Sequence, residues 1–379
     1  MPEQIDEERI VPLGRCPHCG GPVESVRPRE QLIEDIRPGK VHVRRLVTFV
    51  GNCRRCGTVR STDPSQVSLA GGCAKVQIGP RALGLAAKLK QDLGLTYRKT
   101  AEVLGLFGLK ITAGGLSQAM RRVARRLKPA YEQIAQAIRA GPVVHADETS
   151  WYVGSTGWWL WVFAGPWQTL YVVEDFRGAL VVERVLGERY GGVLVSDCLA
   201  TYDPIPCRKQ KCYAHHLRAL SDSIERVPPE SAEPLRLLKL YLKTAMTLAD
   251  MRQKMPTEDF ERRLESLRQS VYGIIDEPHA APGVEKALHR FRTHREDLFT
   301  FLDHPGVDPT NNLAERQLRP AVIARKVSCG NKTPSGKQTW QTLASIAATC
   351  RQRTVSFVDL VARSMPLTAP PPTLLAARR

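Results

Sequence analysis

Two apolar runs, "GPVVHAD" at 141–147 and "GGVLVSD" at 191–197, each end in an aspartate. A short apolar run opened by glycine and closed by a carboxylate reads as a strand buried on both faces, so the first strand is expected to end near Asp147. Between the two, "GWWLWVFAG" (157–165) and "TLYVVED" (169–175) read as further strands on short turns, and "RGALVVERVLGERYG" (177–191) as a crossover helix. A right-handed crossover lays the fourth strand parallel to the first. Neighbouring strands lie about 4.8 Å apart, so Asp147 and Asp197 can share divalent cations at the C-terminal edge of a sheet.

Two aspartates bring too few ligands for a pair of metal ions, and a third carboxylate from a helix would complete the set. The stretch "DPTNNLAERQLRPAVIARK" (308–326) offers Glu315. Asn311 or Asn312 can cap that helix, and the positive end of its dipole favours a carboxylate in the first turns. Arg316, Arg319, Arg325 and Lys326 would line the approach of phosphates. The alternative is a capped surface helix with ordinary ion pairs; the two upstream aspartates favour the ligand. The 117 residues between Asp197 and Glu315 exceed a simple loop, and their helical periodicity predicts a helical insertion over 226–305.

Upstream, "CPHCG" (Cys16, Cys19) and "CRRCG" (Cys53, Cys56) are two Cys-x-x-Cys-Gly units with 33 residues between them. Two thiolates at this spacing can share one tetrahedral Zn²⁺, and the glycine lets the backbone turn around the sulfur, so a structural zinc is expected over reduced core cysteines. Cys73 reads as a small buried residue, and His18 as a non-ligand. Residues 80–140 then read as helix, helix, turn, helix, with a cap at Thr96. Arg121, Arg122, Arg125, Arg126 and Lys128 lie beside an apolar stripe of Leu116, Met120, Val123 and Leu127, which fits a helix-turn-helix unit on DNA; the alternative is a solvated arginine face.

The formal charge of +17 is unevenly spread: residues 1–141 carry 24 Lys/Arg against 12 Asp/Glu, 142–206 carry 3 against 8, and 207–379 carry 28 against 18. A basic envelope around an acidic centre suits a polyanion gripped by the flanks while a cation site works in the middle, although a high pI alone would also give an ordinary basic protein. No uninterrupted run of 18 apolar residues occurs and the N-terminus "MPEQIDEERI" is polar, so a cytoplasmic protein with reduced cysteines is expected.

Taken in order, "VVHADET", "VLVSDCLATYD", "CYAHHLRAL" and "TNNLAERQLRPAVIARK" resemble the catalytic region of bacterial insertion-sequence 66 family transposases, and the upstream Cys pairs and helices resemble that family's zinc- and DNA-binding regions. The resemblance implies a DDE enzyme with Asp147, Asp197 and Glu315 as its three acids on an RNase H-like core. Two Mg²⁺ or Mn²⁺ ions would serve phosphoryl transfer that frees a 3′ hydroxyl at the element's border and joins it to target DNA. It also implies multimers on paired double-stranded DNA ends, small accessory proteins, and residence on the bacterial nucleoid. The "CYAHH" segment is similar to a signature that follows the second acid in several DDE groups, so His215 either contacts the scissile strand or is a satisfied core histidine. A second zinc on Cys207, Cys212, His215 and His216 would lack paired knuckles. The expected architecture is therefore multidomain α/β: zinc ribbon (1–75), helix-turn-helix (76–140), RNase H-like core (141–225 and 306–365) interrupted by the helical insertion, and a loose tail (366–379). Two readings remain beside it, a non-cutting DNA-binding regulator or decayed element, and an RNase H-like nuclease without end recognition.

Overall fold

In the computed structural model, which describes residues 21–22, 41–67 and 77–375, the chain divides into two compact units, 1–40 and 41–379. The described elements lie in the second. It opens with an antiparallel hairpin of β1 (Val50–Cys53) and β2 (Gly57–Arg60). Gly57 closes the turn at φ +71, the left-handed region that glycine enters without cost.

Three helices follow. α1 (Pro80–Ala87) runs into a π-helical turn, Lys88–Asp92. α2 (Tyr97–Leu106) is capped by Thr96, whose side chain accepts from Lys99 N. α3 (Ala113–Arg139) is capped by Thr112 and buries Leu116, Met120, Val123, Leu127, Ile134 and Ile138 on one face, which is the predicted apolar stripe carried a further three turns.

The central sheet consists of β3 (Val143–Val153), β4 (Thr156–Ala164), β5 (Thr169–Glu174), β6 (Val193–Ser196) and β7 (Arg208–Lys211), with α4 (Ala179–Leu186) crossing between β5 and β6. The order is β5-β4-β3-β6-β7. β3, β4 and β5 run antiparallel, whereas β6 lies parallel to β3 and β7 parallel to β6. One expectation needs correction, and one strand had none. β3 does not end near Asp147 but continues to Val153, because β4 still pairs it there after β6 has stopped. β7, with the sequence Arg-Lys-Gln-Lys, has no apolar pattern to announce it, yet Gln210 and Lys211 are buried.

Beyond the sheet come α5 (Tyr213–Arg226), α6 (Glu233–Met251), α7 (Thr257–Asp276), α8 (Pro282–Thr293), the single turn α9 (Thr300–Asp303), α10 (Asn312–Ser328), α11 (Pro334–Gln352) and α12 (Phe357–Ser364). The helical stretch that opens with α8 is thus broken after Thr293. Helices α5 to α8 share one core, with Leu238, Leu242, Leu267, Val271, Leu288 and Phe291 packed together and joined by Val193 and Val195 of β6. On the same side of the sheet, α10 and α11 cover Trp151, Val153, Leu160 and Val162. α3 and α4 cover the other side through Val144, Ala146, Trp161 and Leu194. Gly84 of α1 meets α12 so closely that an added Cβ would stand 2.4 Å from the Val358 carbonyl oxygen.

The free edge of β5 is closed by a helix. Thr349 Oγ1, Ser345 Oγ and Gln341 Oε1 of α11 accept from the backbone N–H groups of Thr169, Tyr171 and Val173 at 3.1, 2.9 and 3.3 Å. Four residues of helix advance about 6 Å and two residues of strand about 6.8 Å, so the two periods stay in step for three hydrogen bonds.

Of the expected loose tail (366–379), the described residues 366–375 are not loose. Arg126 donates to the carbonyl oxygens of Ser364, Pro366 and Ala369, and Leu374 is buried, its N–H donating to Gln133. No helix among the described residues is long and apolar enough to cross a membrane.

Candidate metal and nucleic-acid site

The last parallel pair of β3 and β6 is His145 with Val195. The same register carried two residues further sets Asp147 beside Asp197, just where β6 leaves the sheet. Side chains alternate along a strand. Since Trp151 and Val153 face α10 and α11 while Val144 and Ala146 face α3, Asp147 lies on the α10 side and Glu148 on the α3 side.

Asp147 is pushed up to about 7, by burial first and then by the charge of Glu148; Asp197 and Glu315 add to this, and a hydrogen bond from Glu148 N opposes it. Asp197 turns its Oδ1 back to accept from Leu199 N at 3.0 Å.

Glu315 arrives in the first turn of α10. Asn311 occupies the N-cap position, but neither it nor Asn312 caps with its side chain as expected. Asn311 Nδ2 instead donates to Ala146 O at 2.8 Å, and its backbone N–H donates to Cys212 Sγ at 3.2 Å. The N-terminus of α5 is tied in as well, through Tyr213 N to Pro309 O at 2.8 Å. Ala314 and Ala321, small and buried, let the helix lie close against the strands.

Among the described residues, Asp147, Asp197 and Glu315 have no Lys, Arg or His within ion-pairing distance. Glu148, one residue away, is paired with Arg177 at 2.6 Å. Glu148 is thus compensated, whereas the three acids are not.

Cys212 and His215 stand against Glu315, their ligand atoms all lying within 4.8 Å of one another. Burial raises the Cys212 thiol, which weakens it as a ligand. The other two residues of the imagined second zinc are elsewhere: Cys207 packs against the α3 core, and His216 is buried on Phe291, its ring 3.7 Å from Cys198 Sγ and held far below its ordinary range.

The basic residues divide into two groups. Arg121 and Arg125 on α3, and Arg316, Arg319 and Lys326 on α10, are exposed, and Arg122 is half-buried. Arg126 is occupied by the carbonyls of the C-terminal segment. Arg325 is likewise engaged, donating to Thr149 Oγ1 at 3.0 Å and to Ser150 Oγ at 2.6 Å, and so clamps β3 beyond Asp147.

Cys53 and Cys56 flank the turn between β1 and β2 and are exposed, with the Cys53 thiol lowered by hydrogen bonds from the backbone of Arg55 and Cys56. Cys16, Cys19, His18 and Cys73 lie outside the described residues. Sequence reasoning passed over Arg290 of α8, whose guanidinium lies against Cys198 and whose buried Nε has no hydrogen-bond partner. It also passed over Glu148, Arg177 and Tyr202. Adjacent acids on a strand must face opposite ways, and that was a usable signal for Glu148.

Residues 75–339 match the family model described as Transposase IS66 family, a span that includes Asp147, Asp197 and Glu315. Three proteins of Sinorhizobium fredii are similar in sequence. Uncharacterized protein y4jD is 25% identical over 372 residues, covering 89% of this chain and 71% of that protein. Uncharacterized protein y4qI is 24% identical over 320 residues, covering 75% of this chain and 58% of that protein. Uncharacterized protein y4hP is 22% identical over 413 residues, covering 96% and 73%. With well over half of its length matched by the family model, the chain belongs to the IS66 family of transposases.

Proposed function

We propose that this protein is a DDE-type transposase that cuts DNA at the ends of its element and joins the freed 3′ hydroxyls to target DNA by metal-dependent phosphoryl transfer. The observation that carries the reading is that Asp147, within β3, is acted on by the charges of both Asp197, just past the end of β6, and Glu315 of α10, while none of the three is paired with a cationic side chain among the described residues.

Three carboxylates form a hard oxygen donor set, which suits Mg²⁺ or Mn²⁺ better than a soft metal. Burial first, and then the charge of Glu148 with smaller contributions from Asp197 and Glu315, raises Asp147 to about 7, and a cation held by these carboxylates would offset that cost. Two divalent ions bound there would activate the attacking hydroxyl and stabilise the leaving oxygen. The protein's own side chains do the rest. Arg316, Arg319 and Lys326 hold phosphates along α10, and His215 reaches the scissile strand beside Glu315. Asn311 fixes the start of α10 so that Glu315 meets the two aspartates.

The mixed sheet and its acidic end support an RNase H-like core, with α6 to α8 as the insertion. α2 and α3 serve as the helix-turn-helix unit, with Arg121, Arg122 and Arg125 on DNA phosphates, and Cys16, Cys19, Cys53 and Cys56 share one structural zinc. The protein works as a homo-oligomer on paired ends, with small accessory proteins, in the bacterial cytoplasm at the nucleoid.

The test is incubation with labelled element-border DNA and Mg²⁺. Wild type should release a 3′-hydroxyl end, and Asp147→Asn should bind the same DNA without cutting. Binding without cutting by wild type would make the protein a regulator, and cutting indifferent to the border sequence would make it a nuclease.

A further inference from the structure

Behind the acids, on the α3 side of the sheet, a second carboxylate is satisfied from three directions. Glu148 is 2% exposed in its side chain. Its Oε2 accepts from Tyr202 Oη at 2.5 Å, and its Oε1 accepts from Arg177 Nη2 at 2.6 Å and Nε at 3.1 Å. The Arg177 guanidinium itself lies over the Trp159 ring, its Cζ 4.5 Å from the centroid. Tyr202 is fully buried, edge-on to Trp161 at 6.1 Å, and Trp161 is the residue that pairs with Glu148 across β3 and β4.

The chain positions of these groups matter more than their burial. Glu148 follows Asp147 directly. Tyr202 closes the short 3₁₀ turn Ala200–Tyr202 that follows Asp197. From Asp197, Oδ1 accepts from Leu199 N at 3.0 Å, Leu199 O accepts from Tyr202 N at 3.1 Å, and Tyr202 Oη reaches Glu148. A continuous path of hydrogen bonds thus runs from one acid, around the back of the sheet, to the neighbour of the other. It spans the place where the β3 and β6 backbone pairing has ended and no ladder bond holds the two strands.

We propose that Tyr202, Glu148 and Arg177 form a brace that sets the separation of Asp147 and Asp197, and that Tyr202 is a positioning residue for cation binding by those two carboxylates. The brace rests on the reading of Asp147 and Asp197 as metal ligands. It acts through the backbone, since Glu148 and Asp147 face opposite sides of the sheet. Ligands must be held to within about 0.5 Å for a productive site, and partners one step behind metal ligands commonly change metal affinity by roughly tenfold or more when removed.

The experiment is an Mn²⁺ titration of the full chain without DNA, read by electron paramagnetic resonance, on wild type, Tyr202→Phe, Glu148→Gln, Asp147→Asn and Ser345→Ala. Tyr202→Phe keeps the ring and loses only the hydroxyl; its Mn²⁺ affinity should fall by about tenfold. Glu148→Gln keeps the volume and an acceptor for Tyr202 but releases Arg177, and should move affinity in the same direction. It carries the test if the buried Tyr202 does not tolerate change. Ser345→Ala, which unsettles the far edge of the sheet, should bind Mn²⁺ like wild type, so that a general loss of stability is told apart from a loss of positioning. Wild-type affinity in both Tyr202→Phe and Glu148→Gln, with binding lost in Asp147→Asn, overturns the brace alone. Wild-type affinity in Asp147→Asn overturns the metal-site reading beneath it.

Discussion

Asn311 Nδ2 donates to the carbonyl oxygen of Ala146 at 2.8 Å, and so fastens the first residues of α10 to the strand position immediately before Asp147. That single bond relates the third acid to the first across 165 residues of chain. Asn311→Ala should therefore lower strand cleavage by roughly 10- to 100-fold, the range typical of groups that orient metal ligands, while binding of border DNA stays intact. Gel-shift and cleavage assays on the same substrate separate the two effects.

Glu315→Gln, Asp147→Asn and Asp197→Asn should each abolish cleavage, by on the order of 10⁴-fold, and any double mutant should be scarcely worse than a single one, because groups that act as a unit are not additive. Glu296→Gln is the control: that exposed acid lies in the turn after α8 and should keep most activity. Independent, multiplicative losses would show that the three acids do not form one site.

Asp147 also gives the metal-free protein a pH signature. Its folded value of about 7 lies above the ordinary 3.8, so its protonation favours the folded state fully below pH 4, and that contribution is lost as pH rises through about 7. Asp147→Asn does not titrate. The stability of wild type relative to the mutant should fall between pH 4 and 8 by up to about 4 kcal/mol, measured by urea unfolding in EDTA. Saturating Mn²⁺ should reverse the difference at pH 8, since it binds the folded carboxylate. A difference independent of pH contradicts the assignment.

The arginines of α3 should separate by role. Replacing Arg121, Arg122 and Arg125 with alanine should weaken DNA binding and flatten its salt dependence by about 0.9 in log-log slope for each phosphate no longer neutralised. Arg126→Ala should leave that slope unchanged and lower the unfolding midpoint, because its guanidinium serves carbonyls of the C-terminal segment.

If Cys16, Cys19, Cys53 and Cys56 share one zinc, purified protein should carry one zinc per chain, and Cys16→Ser or Cys53→Ser should lose it along with the fold of the hairpin, as binding energy of this kind is folding energy. Metal analysis and protease sensitivity near residues 50–60 provide the measurement. Full zinc content in both mutants contradicts a shared site.

The strands that carry the acids were legible because apolar runs of this length have few alternatives, and the parallel neighbour of β3 followed from the crossover helix between them. The helix cap at Thr96 was legible for the same local reason. What escaped depends on partners distant in sequence. Lys211 looks like a surface lysine in Arg-Lys-Gln-Lys, but it is buried because Asp203 accepts from its ammonium at 2.6 Å. Arg325 and Arg126 look like their exposed neighbours, and only the carbonyls and hydroxyls they meet distinguish them. Asn311 reads as a cap by composition, yet the Ala146 carbonyl competes for it and wins.

The β5 margin of the five-stranded sheet is already taken, and the β7 margin is touched by the Thr300–Phe301 segment. Thr349, Ser345 and Gln341 occupy the N–H groups of β5, and along β7 Thr300 Oγ1 donates to Lys209 O at 2.6 Å while Gln210 Oε1 accepts from Phe301 N at 2.9 Å. A second copy therefore cannot add a strand along β5. If two copies pair DNA ends as proposed, their contact would have to avoid the β5 edge, and a local excess of the chain is spared edge-to-edge strand addition there.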